Sequence, residues 1–181
     1  MEKKIIIIGL GNEYISDDGI GIRVVRELQK KIENDDRIPF WYKIKFEEQA
    51  VGGLGILDII LGYDICVIID AMYTKEKRVG TLYRYFQKTD KELINIKSSH
   101  QISLSQVLSL AKLLNYKLPS VVVVYGIEVE DVTTFGESCT PEVERNIKNL
   151  TTLVYNDLVD FNVERLSENP LSVYIEEESI N

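Results

Sequence analysis

Three short segments of this 181-residue chain carry side chains that could do chemistry. Asp17 and Asp18 lie within residues 9–21, a glycine-rich segment between an apolar run and a helix-like pattern. Asp70 directly follows a second apolar run, and His100, the one histidine of the sequence, follows a serine pair. Two carboxylates and an imidazole without sulfur suit a borderline divalent metal such as zinc, nickel or cobalt. Three protein ligands would leave coordination positions open for water or a substrate donor.

Each of these side chains also has a purely structural explanation. Acids in a first helical turn complement the helix dipole, which accounts for Asp17 and Asp18, and Ser16 is placed to be the N-cap of that helix. Asp70 could end a buried strand and cap the next turn, as aspartate commonly does. A histidine before a helix could be an ordinary loop residue, although that position favours the neutral imidazole that a metal ligand must be. The residues by themselves leave both interpretations open.

The surrounding elements indicate why these residues could meet. Residues 5–8 are four isoleucines and residues 65–69 are a second continuous apolar run, and both are typical of buried parallel strands. Apolar residues at helical spacing over residues 20–32 predict a helix after the first strand. Open α/β sheets place their chemistry at the carboxyl ends of the strands. If the three loops line one edge of the sheet, their carboxylates and imidazole can converge.

Strands and helices alternate along most of the chain. Residues 42–46 alternate as in a strand near an edge, and residues 65–69 predict a central strand. The pattern predicts a single three-layer α/β domain with a largely parallel, doubly wound sheet of about five strands. We expect this domain to cover residues 1–165, and residues 166–181, which include three consecutive glutamates, to form an acidic, loosely ordered tail. The predicted strands are residues 4–8, 42–46, 65–69, 79–86 and 121–125, and the predicted helices begin near residues 19, 54, 103 and 141.

Composition argues against several classes of protein. The net charge is −8 and no basic run offsets it, which disfavours nucleic acid and anionic membranes as partners. Every apolar run is much shorter than the roughly 18 residues that a membrane span needs. The N-terminal residues lack the length and the cleavage site of a signal peptide. We therefore expect a cytoplasmic protein that binds neither nucleic acid nor membrane.

Other reactive side chains are expected to have structural roles. Cys66 lies in an apolar strand and is expected in the core. Cys139 is expected to be an incidental loop thiol, because a cysteine nucleophile needs a histidine partner and the sequence has one histidine. Glu47, Glu48 and Glu128 lie at predicted strand ends, where we expect a solvated rim, with orientation of metal ligands as the alternative.

Four short motifs, in this order, resemble those of the hydrogenase maturation endopeptidases, which complete the large subunit of nickel–iron hydrogenases. The resemblance covers roughly residues 4–160. Each motif is short, but the four together are specific. They are residues 8–12 with 17–21, residues 67–71, residues 99–101, and residues 124–128 with 140–143.

The resemblance assigns site residues by position. In that family an acid in the first loop, an aspartate after the third strand and a histidine before a helix bind the metal, and these positions are Asp18, Asp70 and His100 here. Asp17 is the weaker candidate, because Asp18 directly precedes Gly-Ile-Gly. Two catalytic roles stay open: the metal polarises the carbonyl or activates water, or Asp18 or Asp70 acts as general base. The chain departs from many members at Val51, where they have an acid.

The resemblance implies an endopeptidase that removes the C-terminal extension of a hydrogenase large-subunit precursor after nickel insertion. The nickel is held mainly by the precursor and serves as the recognition element, so an oxygen-rich site need bind free nickel only weakly, and other divalent metals could replace it. The expected partner is that precursor, and the expected oligomeric state is a monomer. The alternative is a non-catalytic docking or chaperone protein for the same precursor, because no nucleophile is evident.

Two other families share the opening motif. Peptidyl-tRNA hydrolase also begins with a strand and Gly-Leu-Gly-Asn, but it requires a histidine shortly afterwards and basic surfaces for RNA. A dinucleotide-binding domain would have a third glycine, which residues 9–14 lack. Two acids at a helix start would also repel a pyrophosphate. Both alternatives are disfavoured.

Overall fold

The structure is a computed structural model that describes residues 2–33, 35–50, 53–91 and 104–174. Its strands and helices follow the predicted order, with one more strand and one more helix near the C-terminus. A short 3-10 helix, Ser16–Gly19, precedes α1. The strands are β1 Lys3–Leu10, β2 Tyr42–Gln49, β3 Ile65–Met72, β4 Leu82–Lys88, β5 Val121–Glu128 and β6 Leu171–Tyr174. The helices are α1 Ile20–Ile32, α2 Gly55–Ile60, α3 Leu104–Leu113, α4 Pro141–Val159 and α5 Val163–Glu168.

The strands form one mixed sheet in the order β2-β1-β3-β5-β4-β6. Strands β2, β1, β3 and β5 are mutually parallel, whereas β4 is antiparallel to both of its neighbours. The expectation of a single, largely parallel α/β domain is therefore confirmed, with β2 at an edge and β3 central. No helix in the described ranges is long and apolar enough to cross a membrane.

Apolar side chains on both faces of the sheet form two cores. Ile5 and Ile7 pack with residues of α1 and α4 on one face, whereas Ile6 and Ile8 pack with residues of α2 and α3 on the other. All four isoleucines have no exposed surface. A strand covered on both faces has no reason to alternate polar and apolar residues, which explains the continuous apolar runs in β1 and β3.

The order of the strands creates a switch point between β1 and β3. From β1 the chain passes through α1 to β2 on one side, and it returns through α2 to β3 on the other side of β1. The two connections diverge at that point. Open α/β sheets bind their ligands at such a point, outside the carboxyl ends of the strands, which here are β1 and β3.

Two features of the C-terminal half differ from the sequence-based expectation. Residues 171–174 lie in the segment expected to be a loosely ordered tail, but they form β6 and pair with β4; residues 175–181 lie outside the described residues. A four-residue strand carries too little alternation to be recognised. In addition, β4 ends at Lys88 opposite Val121, so the segment after it leaves from the amino edge of the parallel strands. The condition for convergence, that the candidate loops line one edge of the sheet, is met for the loops after β1 and β3, whereas His100 lies outside the described residues.

Candidate active site

The turn between β1 and α1 folds back on itself and holds Asp18. Gly11 has φ = 132°, and a Cβ atom at this position would lie 1.8 Å from the backbone oxygen of Asp18. The backbone N–H of Asn12 donates to Asp18 Oδ2 at 2.8 Å. Asp18 is 9% exposed. Only glycine fits at residue 11, because any side chain would displace the turn that orients this carboxylate.

The first turn of α1 lies directly against the ends of β1 and β3. A Cβ atom at Gly21 would lie 2.3 Å from the backbone oxygens of both Leu10 and Ile69. The Gly-Ile-Gly motif is therefore a packing requirement, since the helix can approach the sheet this closely only without a side chain. The approach places the Asp18 turn beside the end of β3, which carries Asp70.

Asp70 is a buried carboxylate near the carboxyl end of β3. It is 2% exposed, and its Oδ1 accepts a hydrogen bond from the Ala71 N–H at 2.8 Å. Side chains alternate along a strand, so Asp70 shares a sheet face with Ile68 and Met72. That face packs against α2 and α3. Asp70 therefore lies at the switch point, on the side of the sheet that α3 covers.

The structure brings two of the three predicted site residues to the same edge. Asp18 and Asp70 follow or end neighbouring parallel strands, whereas His100 lies outside the described residues. Within the described ranges, no group of three histidine, cysteine, aspartate or glutamate side chains could hold a metal ion. The two carboxylates alone do not make a tight metal site, and a third donor would have to come from elsewhere.

Asp17 has an environment different from that of Asp18. It has no exposed surface, and its carboxylate accepts from the backbone N–H groups of Glu130, Asp131 and Thr140 at 3.1, 3.0 and 2.6 Å. The Thr140 hydroxyl donates to the same carboxylate at 3.0 Å. Asp17 thus joins the β1–α1 turn to the loop before α4. Asp17 lies in the first turn of the 3-10 helix, as expected, but its hydrogen bonds serve the loop before α4.

A profile described as hydrogenase maturation protease matches residues 22–157. This chain belongs to the hydrogenase maturation protease family. The match covers α1 from Ile22 onwards and all elements through most of α4, including the strand that carries Asp70. The resemblance inferred from the four motifs is confirmed.

Individual maturation proteins support the assignment over nearly the whole chain. Hydrogenase 2 maturation protease of Escherichia coli is 25% identical over 164 residues, which cover 90% of this chain and 95% of that protein. The hydrogenase expression/formation protein HupD of Thiocapsa roseopersicina is 24% identical over 164 residues, 90% of this chain and 71% of HupD.

Solved structures of maturation proteases share the fold. The endopeptidase HybD of Escherichia coli superimposes with a TM-score of 0.63 at 23% identity, covering 94% of this chain and 96% of HybD. HybD of Thermococcus kodakarensis gives a TM-score of 0.60 at 21% identity, covering 84% and 97%. At this level of identity, the likeness establishes the architecture alone.

Glu128 is buried, although its position at a strand end suggested a solvated rim. It is 1% exposed, and one carboxylate oxygen accepts from the backbone N–H groups of Thr74 and Lys75, both at 2.8 Å. The other oxygen accepts from the Thr74 hydroxyl at 2.7 Å and the Tyr83 hydroxyl at 2.6 Å. Burial, together with this hydrogen bond, raises the pKa of Tyr83. Glu128 therefore fixes the segment that follows β3 and Asp70.

The other two glutamates do match the expected rim. Glu48 is exposed and receives two hydrogen bonds from Arg26, at 2.9 and 2.7 Å, and a third Arg26 nitrogen donates to Glu13 at 2.8 Å. Glu47 pairs with Lys45 at 2.7 Å. These surface ion pairs contribute little to stability.

The two cysteines are poor nucleophiles. Cys66 is buried in β3, as predicted, and burial raises the pKa of its thiol. Cys139 lies in the loop before α4, as expected; it is also buried, and its Sγ donates to the Ser16 carbonyl at 3.6 Å. Burial raises the pKa of Cys139 to about 11. Both thiols stay protonated near neutral pH, whereas a nucleophilic cysteine needs the thiolate.

Ser16 was also misassigned as an N-cap. The N-cap residue of α1 is Gly19, and no side chain caps that helix. Ser16 begins the 3-10 helix instead, and its hydroxyl donates to the Ser138 carbonyl at 3.4 Å. At α4, Thr140 and Pro141 start the helix as predicted, but the Thr140 hydroxyl donates to Asp17 rather than capping the helix. In both cases contacts distant in sequence replaced a local cap.

Proposed function

We propose that this chain is an endopeptidase that removes the C-terminal extension of a nickel-loaded hydrogenase large-subunit precursor, with the precursor's nickel as its recognition element. The observation that carries the proposal is the placement of two buried carboxylates, Asp18 and Asp70, at the switch point between β1 and β3. Membership of the hydrogenase maturation protease family supports the reaction class, which is peptide hydrolysis.

The donors proposed to face the nickel are Asp18, Asp70 and His100. Two carboxylates and an imidazole are weaker donors for nickel than the thiolates of a precursor, so this site would share an ion that the substrate already holds. The nickel is therefore treated as part of the substrate, and another divalent ion in the precursor could take its place. Discrimination between loaded and empty precursor follows, because these donors have little to bind when the ion is missing.

The position of α3 supports a role for His100 in this group. The chain after α3 leads to β5, whose first residue, Val121, lies at the amino edge of the sheet. A ten-residue helix is about 15 Å long, and we expect its first turn to lie towards the opposite, carboxyl edge. His100 precedes that turn by four residues. Asp70 lies on the sheet face that α3 covers.

Hydrolysis requires a water molecule to attack the scissile carbonyl carbon while a base accepts its proton. Asp18 and Asp70 are the two candidate bases, and general base catalysis typically contributes a factor of about 10²–10⁴ to the rate. The alternative is that both carboxylates only position the nickel-bearing end of the substrate, with the ion polarising the carbonyl. We expect the protease to act as a monomer on one precursor molecule.

A docking or chaperone function is the second candidate. The observation that favours it is that both cysteines are buried, which raises the pKa of their thiols and leaves the described residues without a ready thiolate nucleophile. Such a protein would bind the nickel-loaded precursor without cutting it. Its binding surface would include the same carboxylates.

The test is to mix the protein with nickel-loaded precursor and follow the intact mass of the precursor. We expect loss of a single C-terminal peptide with nickel-loaded precursor, and no loss with metal-free precursor or with the His100→Ala variant. Complex formation without loss of mass would support the docking function instead. Cleavage of both precursors at equal rates would contradict recognition through nickel.

Asp70→Asn separates the two roles of the carboxylates. Asparagine keeps an oxygen that can accept from the Ala71 N–H but loses the charge and the basicity. A general base at residue 70 predicts a fall in turnover of about 10²-fold or more, with precursor binding retained. The control is Asp64→Asn, since Asp64 is exposed at the opposite end of β3, where it accepts from Lys4 N–H. Full turnover by Asp70→Asn would exclude Asp70 as the base.

A further inference from the structure

The buried carboxylate of Asp17 has no part in the proposed chemistry, yet it makes more hydrogen bonds than a helix start requires. Its four donors come from Glu130, Asp131 and Thr140, residues 113 to 123 positions later in the chain. Three are backbone N–H groups and one is a hydroxyl. Such charge-assisted bonds are stronger than neutral ones and are directional.

Further hydrogen bonds join the same two loops. Asp17 N–H donates to the Asp131 carbonyl, and Ser16 N–H donates to the Thr134 carbonyl, both at 3.0 Å. Farther along, Gly136 N–H donates to the Tyr14 carbonyl at 3.0 Å. The β1–α1 turn is therefore paired along its length with the loop before α4, and the Asp17 carboxylate lies at the inner end of this pairing.

Asp17 and Asp18 are consecutive residues of one 3-10 helix, in which successive side chains are about 120° apart. Asp17 accordingly bonds to the loop before α4, while Asp18 accepts from Asn12 within its own turn. One peptide unit connects the two residues, and each side chain is fixed by its own hydrogen bonds. A shift of Asp17 must therefore move Asp18.

We infer that Asp17 is a positioning residue that fixes Asp18 against the nickel-bearing part of the precursor by locking the β1–α1 turn to the loop before α4. The inference rests on the proposed function of Asp18. Misplacement of a reacting group by about 1 Å can lower a rate by 10²-fold. Asp17→Asn keeps the size of the side chain but turns an NH₂ group towards N–H donors. The hydrogen bonds that hold the turn to the loop before α4 are then weakened.

The readout is the affinity for nickel-loaded precursor divided by the affinity for metal-free precursor, measured with each variant. A purely structural role would lower both affinities together and leave the ratio unchanged. We expect Asp17→Asn to lower the ratio by about 10-fold or more. Asp18→Asn should lower the same ratio. Backbone hydrogen exchange at residues 130, 131 and 140 should accelerate in Asp17→Asn.

The matched control is Asp157→Asn. Asp157 is another buried carboxylate, 5% exposed, and it accepts from Arg84 at 2.9 Å and from the Tyr125 hydroxyl at 2.8 Å. It lies on α4 about 24 Å along the helix from Pro141, so its loss destabilises the fold without moving the turn. We expect Asp157→Asn to leave the affinity ratio at the wild-type value.

The outcomes separate the inference from the proposed function. If wild-type protein binds both precursors equally, or if Asp18→Asn leaves the ratio unchanged, the proposed function of Asp18 fails. If Asp18→Asn lowers the ratio and Asp17→Asn does not, the inference about Asp17 is overturned.

A second variant decides the question if Asp17→Asn does not fold. Thr140→Val removes one donor to Asp17 and keeps the backbone N–H bond at 2.6 Å. We expect a smaller fall in the ratio, about threefold. Its control is Thr151→Val on the same helix, where the buried hydroxyl donates to the Ile147 carbonyl. Equal ratios for the two threonine variants would overturn the inference.

Discussion

Neighbouring aspartates in one turn have different environments. Asp17 has no exposed surface and accepts four hydrogen bonds from a distant loop, whereas Asp18 is 9% exposed and accepts from Asn12 in its own turn. The first arrangement holds the backbone, and the second orients a carboxylate at the switch point between β1 and β3. At this scale the site depends on backbone geometry as much as on acidity, and Gly11 sets that geometry.

Gly11→Ala tests the backbone requirement at the residue scale. A residue with a side chain rarely adopts φ = 132°, and its Cβ would overlap the Asp18 backbone oxygen. We expect the free energy of unfolding to fall by about 2–4 kcal/mol, measured from urea denaturation midpoints. Gly55→Ala is the control, since a Cβ there meets no atom within 4 Å, and it should be neutral or slightly stabilising. Equal stabilities for the two variants would contradict this account.

At the scale of elements, two parallel strands deliver the candidate carboxylates and the segments after them are fixed by buried acids. The segment after β3 is held by Glu128, which accepts from Thr74, Lys75 and Tyr83. The turn after β1 is held by Asp17 in the same manner. Each carboxylate satisfies backbone donors that no strand or helix would satisfy, so the loops beside the switch point are ordered without regular structure.

Glu128→Gln tests the element that follows Asp70. The amide NH₂ of glutamine would face two backbone N–H groups or two hydroxyl donors, so at least one buried donor loses its partner. We expect a loss of about 1–3 kcal/mol in the free energy of unfolding and faster hydrogen exchange at Thr74 and Lys75. Glu47→Gln, at a surface ion pair, should change stability by less than about 0.5 kcal/mol. Unchanged exchange at both amides would count against the role of Glu128.

At the scale of the whole molecule, the chain carries 29 acidic and 21 basic residues, and its folded state holds several ionisable groups away from their ordinary pKa values. Hydrogen bonds from Thr134 and Thr133 lower the pKa of Asp131 to about 2, and the Arg37 guanidinium holds the pKa of Asp35 well below its usual range. At the other extreme, burial raises the pKa values of Tyr83 and Tyr125.

These shifts predict a plateau of stability between acidic and alkaline limits. A lowered carboxyl pKa contributes stability above the unfolded value of 3.8, and this contribution is lost as the pH falls through about 2. A raised tyrosine pKa contributes stability below its ordinary value of 10.0, and this is lost as the pH rises through the folded value. We expect the urea midpoint to fall below about pH 4 and above about pH 10.

Two variants test whether Asp131 and Tyr83 cause the acidic and alkaline losses of stability. Asp131→Asn should make the acidic fall in the urea midpoint less steep, and Tyr83→Phe should do the same for the alkaline fall. Neither should change the slope near neutral pH, where both groups keep one protonation state. If the urea midpoint of both variants depended on pH as in the wild type, the pH dependence would belong to other groups.

The sequence by itself determined the α/β class, the order of the elements, the central position of β3 and the two carboxylates at strand ends. These follow from local information, because apolar runs, helical periodicity and glycines between them depend on neighbouring residues. The motif order also determined the family. The sequence did not distinguish the environment of Asp17 from that of Asp18, since both are acids in the same turn.

Only the tertiary structure decided which acids are buried and what they bond. The donors to Asp17 are at least 113 residues away, and the donors to Glu128 are 45 to 54 residues away. The antiparallel direction of β4 and the pairing of β6 are likewise contacts between distant segments. The order of the strands in the sheet determines which distant residues become partners. Local sequence patterns do not specify that order.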